Sequence, residues 1–192
     1  AAAVCLAYLG FVGWYLSAGD VALLLGDVRN PIVYDGPVDY IIHGASVTAS
    51  KEMVTRPVET IATAIGGTEQ ILKFAVAKQV TSMVYISSME MYGTPDPNLS
   101  CVTESDYGRV DVLQVRSCYP EGKRMCECLC AAYAHEYHLP VKIARLAQTF
   151  GAGVSTSEGR VFAQFARSLM NGEDIVLHTE GKSYGNYCAT CD

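Results

Sequence analysis

Charge is scarce in this 192-residue chain: charged residues make up 18% of it and the formal net charge is -6. No basic field is present of the kind that draws a protein to nucleic acid or to anionic lipid, so a phosphate-bearing ligand must be held locally. The first eighteen residues, Ala1 to Ala18, contain no charge at all. That run just reaches the length of a membrane helix, but Ala and Gly dilute it. No Lys or Arg precedes it as a signal peptide requires, and no Met opens the chain, as if it were cut from a longer one. A buried helix packed on a sheet is the reading adopted. Linkers, low-complexity tracts and internal repeats are lacking too, which leaves one domain of ordinary size; half of the residues are hydrophobic, enough for a buried core.

The chain has eight cysteines. Disulfide-stapled secreted domains are short and poor in core, unlike this chain, so reduced thiols and a cytoplasmic setting are expected. Cys126, Cys128 and Cys130 alternate at a spacing that scatters them around a helix. Cys188 and Cys191 form a lone C-x-x-C, and a structural zinc needs four ligands. His135 and His138 stand three apart with no third ligand arranged beside them. No metal is expected, and both histidines read as surface residues.

Short apolar runs alternate with helical patterns. Val21–Leu25, Val38–His43, Met83–Ile86 and Val141–Leu146 read as buried strands. Pro57–Lys78 repeats apolar residues at helical spacing through Ile61, Ile65, Ile71, Leu72 and Ala75, with Pro57 suited to a first turn. Tyr119–Tyr137 is a second helix, stopped before Pro140, and Arg160–Met170 a third. Gly151–Gly159 reads as flexible, and Ile175–Leu177 as a small strand. Alternation of this kind implies an α/β fold, a Rossmann-like parallel sheet with helices on both faces. Ligands then bind beyond the carboxyl ends of the strands, after Leu25, His43, Ile86 and Leu146.

Tyr119 and Lys123 are four apart at a helix start, so one turn stacks them on one face. A phenol has a reference pKa of about 10 and is a poor base near neutrality. An ammonium held beside it stabilises the phenolate and makes a usable general base. Such a pair also occurs as an unremarkable surface feature; its context decides. Ser88, Asp27 and Gly44-Ala45-Ser46 each follow a strand and approach the same edge of the sheet.

At these places the sequence resembles the extended short-chain dehydrogenase/reductases of the NAD-dependent epimerase/dehydratase type. Gly26-Asp27-Val28 resembles their G-D-[IV] turn, Ile42-His43-Gly44-Ala45-Ser46 their fourth-strand motif, and Gly67-Thr68 their helix motif. Ser87-Ser88-Met89-Glu90-Met91-Tyr92-Gly93 resembles the S-x-E-x-Y-G loop. Arg116-Ser117-Cys118-Tyr119-Pro120-Glu121-Gly122-Lys123-Arg124 resembles R-x-x-Y-x-E-G-K-R. The last two are specific and are most similar to UDP-glucuronate decarboxylases.

The resemblance implies NAD as cofactor, held by Asp27 at the adenine, by Val28, Gly44, Ala45 and Ser46, and by Tyr119 and Lys123. It implies a nucleotide-sugar substrate contacted by Ser88, Glu90, Arg145 and Gln148. Tyr119 would take the proton of the sugar 4-hydroxyl and Lys123 would lower its pKa. Ser88 would hydrogen-bond the reacting oxygen, and Glu90 would act as a second acid/base or position the ring. The implied reaction passes through a 4-keto sugar, most like decarboxylation of UDP-glucuronate to UDP-xylose, with 4-epimerisation as the alternative. A catalytically silent Rossmann-like protein acting in binding or oligomerisation is the other class. A homodimer through a four-helix interface of Pro57–Lys78 and Tyr119–Tyr137 is implied as well.

Departures from the family pattern narrow this. Met89 stands where 4,6-dehydratases carry a proton-donating aspartate, which disfavours dehydration. Ala64 replaces the helix asparagine, Gln148 the asparagine of R-x-x-N-T-[FY]-G, and Gly185 a nucleotide-binding arginine. Gly10-Phe11-Val12-Gly13 resembles half of a glycine-rich loop, but no strand or first glycine is recognisable before it, nor is a carboxy-terminal substrate lobe. The expectation is therefore one partial dinucleotide-binding domain over 1–192, with 151–192 beginning the substrate-binding part, NAD held weakly and little turnover. Arg145 is open to two readings, binding a sugar phosphate or pairing with Glu121 or Glu136. Tyr92 and Phe150 read as packing residues.

Overall fold

A computed structural model describes residues 3–5, 21–151, 158–177, 180–181 and 185–190. The chain divides into two compact units, Ala1–Arg145 and Leu146–Asp192. In the first, strands β1 (Ala3–Cys5) and β2 (Val21–Leu23) pair in parallel, and β3 (Tyr40–His43), β4 (Ser82–Ser88) and β5 (Val141–Leu146) form a sheet in that order. β3 runs parallel to β4, with His43 opposite Tyr85. Helices α1 (Ser50–Thr55), α2 (Pro57–Lys78) and α3 (Cys118–Tyr137) fall between the strands. The Rossmann-like parallel α/β architecture expected from the strand–helix alternation is the one observed.

Of the run expected to be a buried helix, the described part, Ala3–Cys5, is a strand instead. Three apolar residues carry no periodicity that separates the two forms, and the backbone ladder to Val21–Leu23 decides it. A strand therefore precedes Gly10-Phe11-Val12-Gly13, and that tetrapeptide itself lies outside the described residues. No helix among the described residues is long and apolar enough to cross a membrane.

α2 covers the span its periodicity predicts and buries Ile71, Leu72 and Ala75 as expected, but over its first half the buried positions are small residues and not Ile61 or Ile65. Thr60, Ala64, Gly67, Thr68 and Ile71 are buried, whereas Ile61 is 41% exposed. Close approach explains the exchange. A Cβ on Gly67 would come within 2.7 Å of Val28 Cγ1, and one on Gly122 would meet the Ala64 Cβ at 3.4 Å. Small residues sit where the chain packs closely in the first half of the helix, and Ile61 turns outward there. The core between these helices and the sheet gathers Val28, Val38, Leu72, Met83, Tyr85, Cys126, Cys130 and Leu139. Cys126 and Cys130, one turn apart, are both buried on one face of α3 and Cys128 is exposed on another, so the expected scatter around the helix holds for Cys128 alone. His135 and His138 are both on the surface.

β4 alternates strictly, with Met83, Tyr85 and Ser87 turned into the core. It extends two residues beyond the apolar run, through Ser87 and Ser88, and ends in a 3-10 turn over Met89–Tyr92. Gly93 then adopts φ +66, and a Cβ there would lie 2.6 Å from the Arg109 carbonyl oxygen. Glycine is required because the chain leaves the turn there, against the Thr94–Arg109 bridge.

In the second unit β6 (Gln148–Phe150) pairs in parallel with β7 (Tyr187–Ala189), and α4 (Val161–Asn171) ends at Gly172. Phe150, Phe162 and Tyr187 form its aromatic cluster, with centroids 5.7 to 6.5 Å apart. Ile175–Leu177, expected as a strand, has no strand partner; all three side chains are more than half exposed, and no neighbour rewards extension.

Candidate active site

The end of β4 and the first two turns of α3 meet at one edge. Lys123 is 4% exposed, and its Nζ donates to the carbonyl of Ile86 at 2.8 Å. The same nitrogen lies 4.9 Å from the Tyr85 ring centre and 5.6 Å from that of Tyr119. Burial pushes the Lys123 ammonium down to about 8, because a charge removed from water is disfavoured. Two of its three N–H donors remain for other partners among the described residues. Tyr119 itself is half-buried one turn earlier.

Ser88 caps the 3-10 turn, its Oγ accepting from the Glu90 backbone N–H at 3.2 Å. Glu90 is held in turn by Arg116, whose Nη2 donates to both carboxylate oxygens at 3.0 and 2.8 Å. The Arg116 guanidinium also lies over the Tyr119 ring, 5.5 Å from its centre, and its buried Nη1 has no hydrogen-bond partner among the described residues. A cation thus stands between the two expected acid/base groups. Arg124 fastens the turn from below, donating from Nε to the Met91 carbonyl at 2.7 Å and from Nη2 to those of Tyr92 and Gly108 at 3.3 and 2.7 Å.

Behind this edge is a pair that the sequence reasoning missed. Arg145 is not joined to Glu121 or Glu136; it holds Glu127, from Nε at 3.1 Å to each oxygen and from Nη2 at 2.7 Å to one of them. Glu127 also accepts from the Ser87 hydroxyl at 2.5 Å. Nη1 of Arg145 reaches the Glu104 carbonyl at 2.7 Å and Nη2 the Tyr107 hydroxyl at 3.0 Å, with the rings of Tyr92 and Tyr107 against the guanidinium. The hydrogen bonds to Glu127 push the Arg145 pKa further up. One signal was available: residues 119, 123 and 127 share a helix face, and a carboxylate on a buried face needs a counter-charge.

The cofactor-side residues lie elsewhere. Asp27 follows β2, exposed, and its carboxylate is bound by the backbone N–H, Nε and Nη2 of Arg29. Those bonds hold Asp27 down to about 2. Val28 points into the core beneath Gly67, so packing occupies its side chain. Gly44, Ala45 and Ser46 continue from β3, with Gly44 next to Ile86. His43, just before them, is buried; its Nε2 is 3.0 Å from Thr68 Oγ1, which donates to Cys126 Sγ. Thr68 therefore accepts from Nε2–H, and burial pushes the imidazole down to about 4. Gln148 lies in the second unit, on β6, beside Gly185. Phe150 packs in the aromatic cluster there, and Tyr92 against Arg145.

Residues 20–189 match the model of the NAD dependent epimerase/dehydratase family. Among curated proteins, UDP-glucuronic acid decarboxylase 6 of Arabidopsis thaliana is 33% identical over 171 residues, 88% of this chain and 48% of that protein. UDP-glucuronic acid decarboxylase 1 of Xenopus tropicalis is 32% identical over 161 residues, 83% of this chain and 37% of the other. The fold is similar to that of UDP-N-acetylglucosamine 4-epimerase from Methanobrevibacter ruminantium, with TM-score 0.75, 18% identity, and 89% and 54% of the two chains covered. It is similar also to UDP-glucuronic acid 4-epimerase from Bacillus cereus in complex with UDP-glucuronic acid and NAD, with TM-score 0.71, 17% identity, and coverage of 89% and 52%. The chain spans about half the length, or less, of the curated relatives it matches.

Proposed function

Because this chain belongs to the NAD dependent epimerase/dehydratase family of enzymes, we propose that it carries the catalytic edge of a nucleotide-sugar enzyme that works through a 4-keto sugar. The net reaction we assign is decarboxylation of UDP-glucuronate to UDP-xylose. One observation carries the reading: the buried Lys123 ammonium is held at the end of β4, 5.6 Å from the Tyr119 ring, in the same edge as Ser88 and Glu90.

NAD, when bound, would supply the hydride acceptor and donor that oxidation and re-reduction at C4 require. The residues present fit it: Lys123 keeps two donors, which suits the diol of a nicotinamide ribose and the Tyr119 oxygen, while Gly44–Ser46 offer small side chains at the end of β3. Asp27 would accept from the adenine amine on exchanging part of its Arg29 contact.

Tyr119 takes the 4-hydroxyl proton, and the Lys123 charge stabilises the phenolate that precedes this step. Ser88 donates to the developing carbonyl oxygen. A sugar acid oxidised at C4 is a β-keto acid, whose carbon–carboxylate bond breaks with electrons flowing into that carbonyl. Glu90, held as a carboxylate by Arg116, orients the ring; the proton that quenches the carbanion at C5 comes from water, and Tyr119 gives back the proton it took as the 4-hydroxyl re-forms. Gln148 is kept as a substrate contact on the resemblance alone. The 4-epimerase reading uses the same four residues, and Met89 in place of an aspartate argues against dehydration in either case.

We propose also that two copies pair through α2 and α3. The outward groove of Pro57, Ile61, Ile65, Val115 and Met125, flanked by Val58 and Leu113 at 79% and 90% exposure, supports this. The free thiols suit a reducing, cytoplasmic setting.

Proton NMR of the protein incubated over long times with UDP-glucuronate and a large excess of NAD, enough to fill a weakly held cofactor site, tests the reading. UDP-xylose should accumulate, and Tyr119→Phe should reduce its rate by about 10²–10⁴-fold. UDP-galacturonate as product would substitute the 4-epimerase reading. Turnover untouched by Tyr119→Phe would remove Tyr119 as base.

A further inference from the structure

Glu127 has no part in the reaction just described, yet it is 7% exposed and charged, and it ties together four segments of chain. Its carboxylate takes the Ser87 hydroxyl from the end of β4 and the Arg145 guanidinium from β5. Arg145 carries the connection on to the Glu104 carbonyl and the Tyr107 hydroxyl, and its faces meet the Tyr92 and Tyr107 rings. Tyr92 ends the turn that Ser88 opens. Ser87 and Ser88 are consecutive in an extended strand, so their side chains leave on opposite faces. Ser87 Oγ is bonded on the buried side while Ser88 Oγ caps the turn that holds Glu90.

A carboxylate buried among a hydroxyl and a bidentate guanidinium has little freedom to move, because each lost contact would leave a charge without a partner out of water. We propose that Glu127 is a positioning residue: through Ser87 it sets the end of β4, and through Arg145 it fastens the 104–107 loop beside the turn that carries Ser88 and Glu90. This rests on the reading of Ser88 and Glu90 as catalytic groups. On this account Arg145 serves as the counter-ion of the fastening and not as a ligand of the substrate. Four of its five N–H donors already have protein acceptors.

The arrangement separates from a merely structural ion pair by where its loss is felt. Two variants of the whole chain, Ser87→Ala and Glu127→Gln, are compared by amide hydrogen exchange and by turnover of UDP-glucuronate with NAD. Ser87→Ala removes one hydroxyl and leaves the ion pair, so it remains folded even where Glu127→Gln does not. Exchange over 88–93 should rise at least about ten-fold in Ser87→Ala while α2 keeps its protection. The turnover number should fall about ten-fold or more with KM for UDP-glucuronate unchanged, since a reacting group is displaced and no binding contact is removed. Wild-type exchange over 88–93 in Ser87→Ala overturns the proposal. So does faster exchange with an unaltered turnover number in a protein that Tyr119→Phe inactivates. Turnover that survives Tyr119→Phe marks failure of the catalytic reading instead, and the exchange comparison then decides whether Glu127 fastens the segment.

Discussion

The edge of the first unit is built in two ways. On the catalytic side, the buried charged side chains are held by groups distant in sequence: Lys123 by Ile86, Glu127 by Ser87 and Arg145, and Glu90 beside them by Arg116. On the cofactor side, Asp27 is held by Arg29, two residues away, in the open. Buried, cross-linked charges keep reacting groups in place but are sensitive to substitution, because a lone charge out of water is costly. An exposed local pair is replaceable and can yield its partner to a ligand. On the proposed reading, the difference separates a part that must be set before substrate arrives from one that can adapt as the adenine arrives.

That contrast can be broken from the catalytic side with the largest effect. Glu127→Ala leaves the Arg145 charge buried without its partner and should destabilise the chain by about 3–5 kcal/mol, read from urea unfolding. Next in size is acid sensitivity at His43. Its pKa is depressed to about 4 in the folded state and near 6.5 unfolded, so the unfolded chain binds more protons between those values. Stability is therefore fully present above about pH 6.5 and declines as pH falls toward 4, by at most about 3 kcal/mol. His43→Gln should flatten that slope in pH-dependent unfolding. The smallest effect sharpens the comparison: Asp27→Asn should leave the melting temperature unchanged while weakening NAD binding measured by calorimetry. A large fall in melting temperature there would erase the distinction between the two sides.

Legibility followed the same division. The spans of α2 and α3 were readable because helical periodicity persists over twenty residues or so, and Tyr119 with Lys123 because four-residue spacing implies one face. The face α2 buries was legible only in its second half, through Ile71, Leu72 and Ala75; in the first half Thr60, Ala64 and Gly67 are chosen for closeness of approach and carry no hydrophobic signal. α1, β6 and β7 escaped notice because a pattern needs more residues than they have. The partner of Arg145 was missed for another reason. Glu127 is eighteen residues away along the chain, and only the packing of α3 against β4 and β5 brings the two together. Asp27 was found by motif, but its bond to Arg29 was not foreseen, although the two stand side by side in the turn.

The pH dependence of turnover, measured with UDP-glucuronate and NAD in the wild type and in Lys123→Met, tests the central claim most directly. Burial lowers the ammonium to about 8, so the charge that supports Tyr119 is present below that pH and disappears above it. The wild type should lose activity as pH rises through about 8, and Lys123→Met should be about 10²-fold slower or worse with that limb gone. An equal rate and an unshifted limb in the variant would contradict the account.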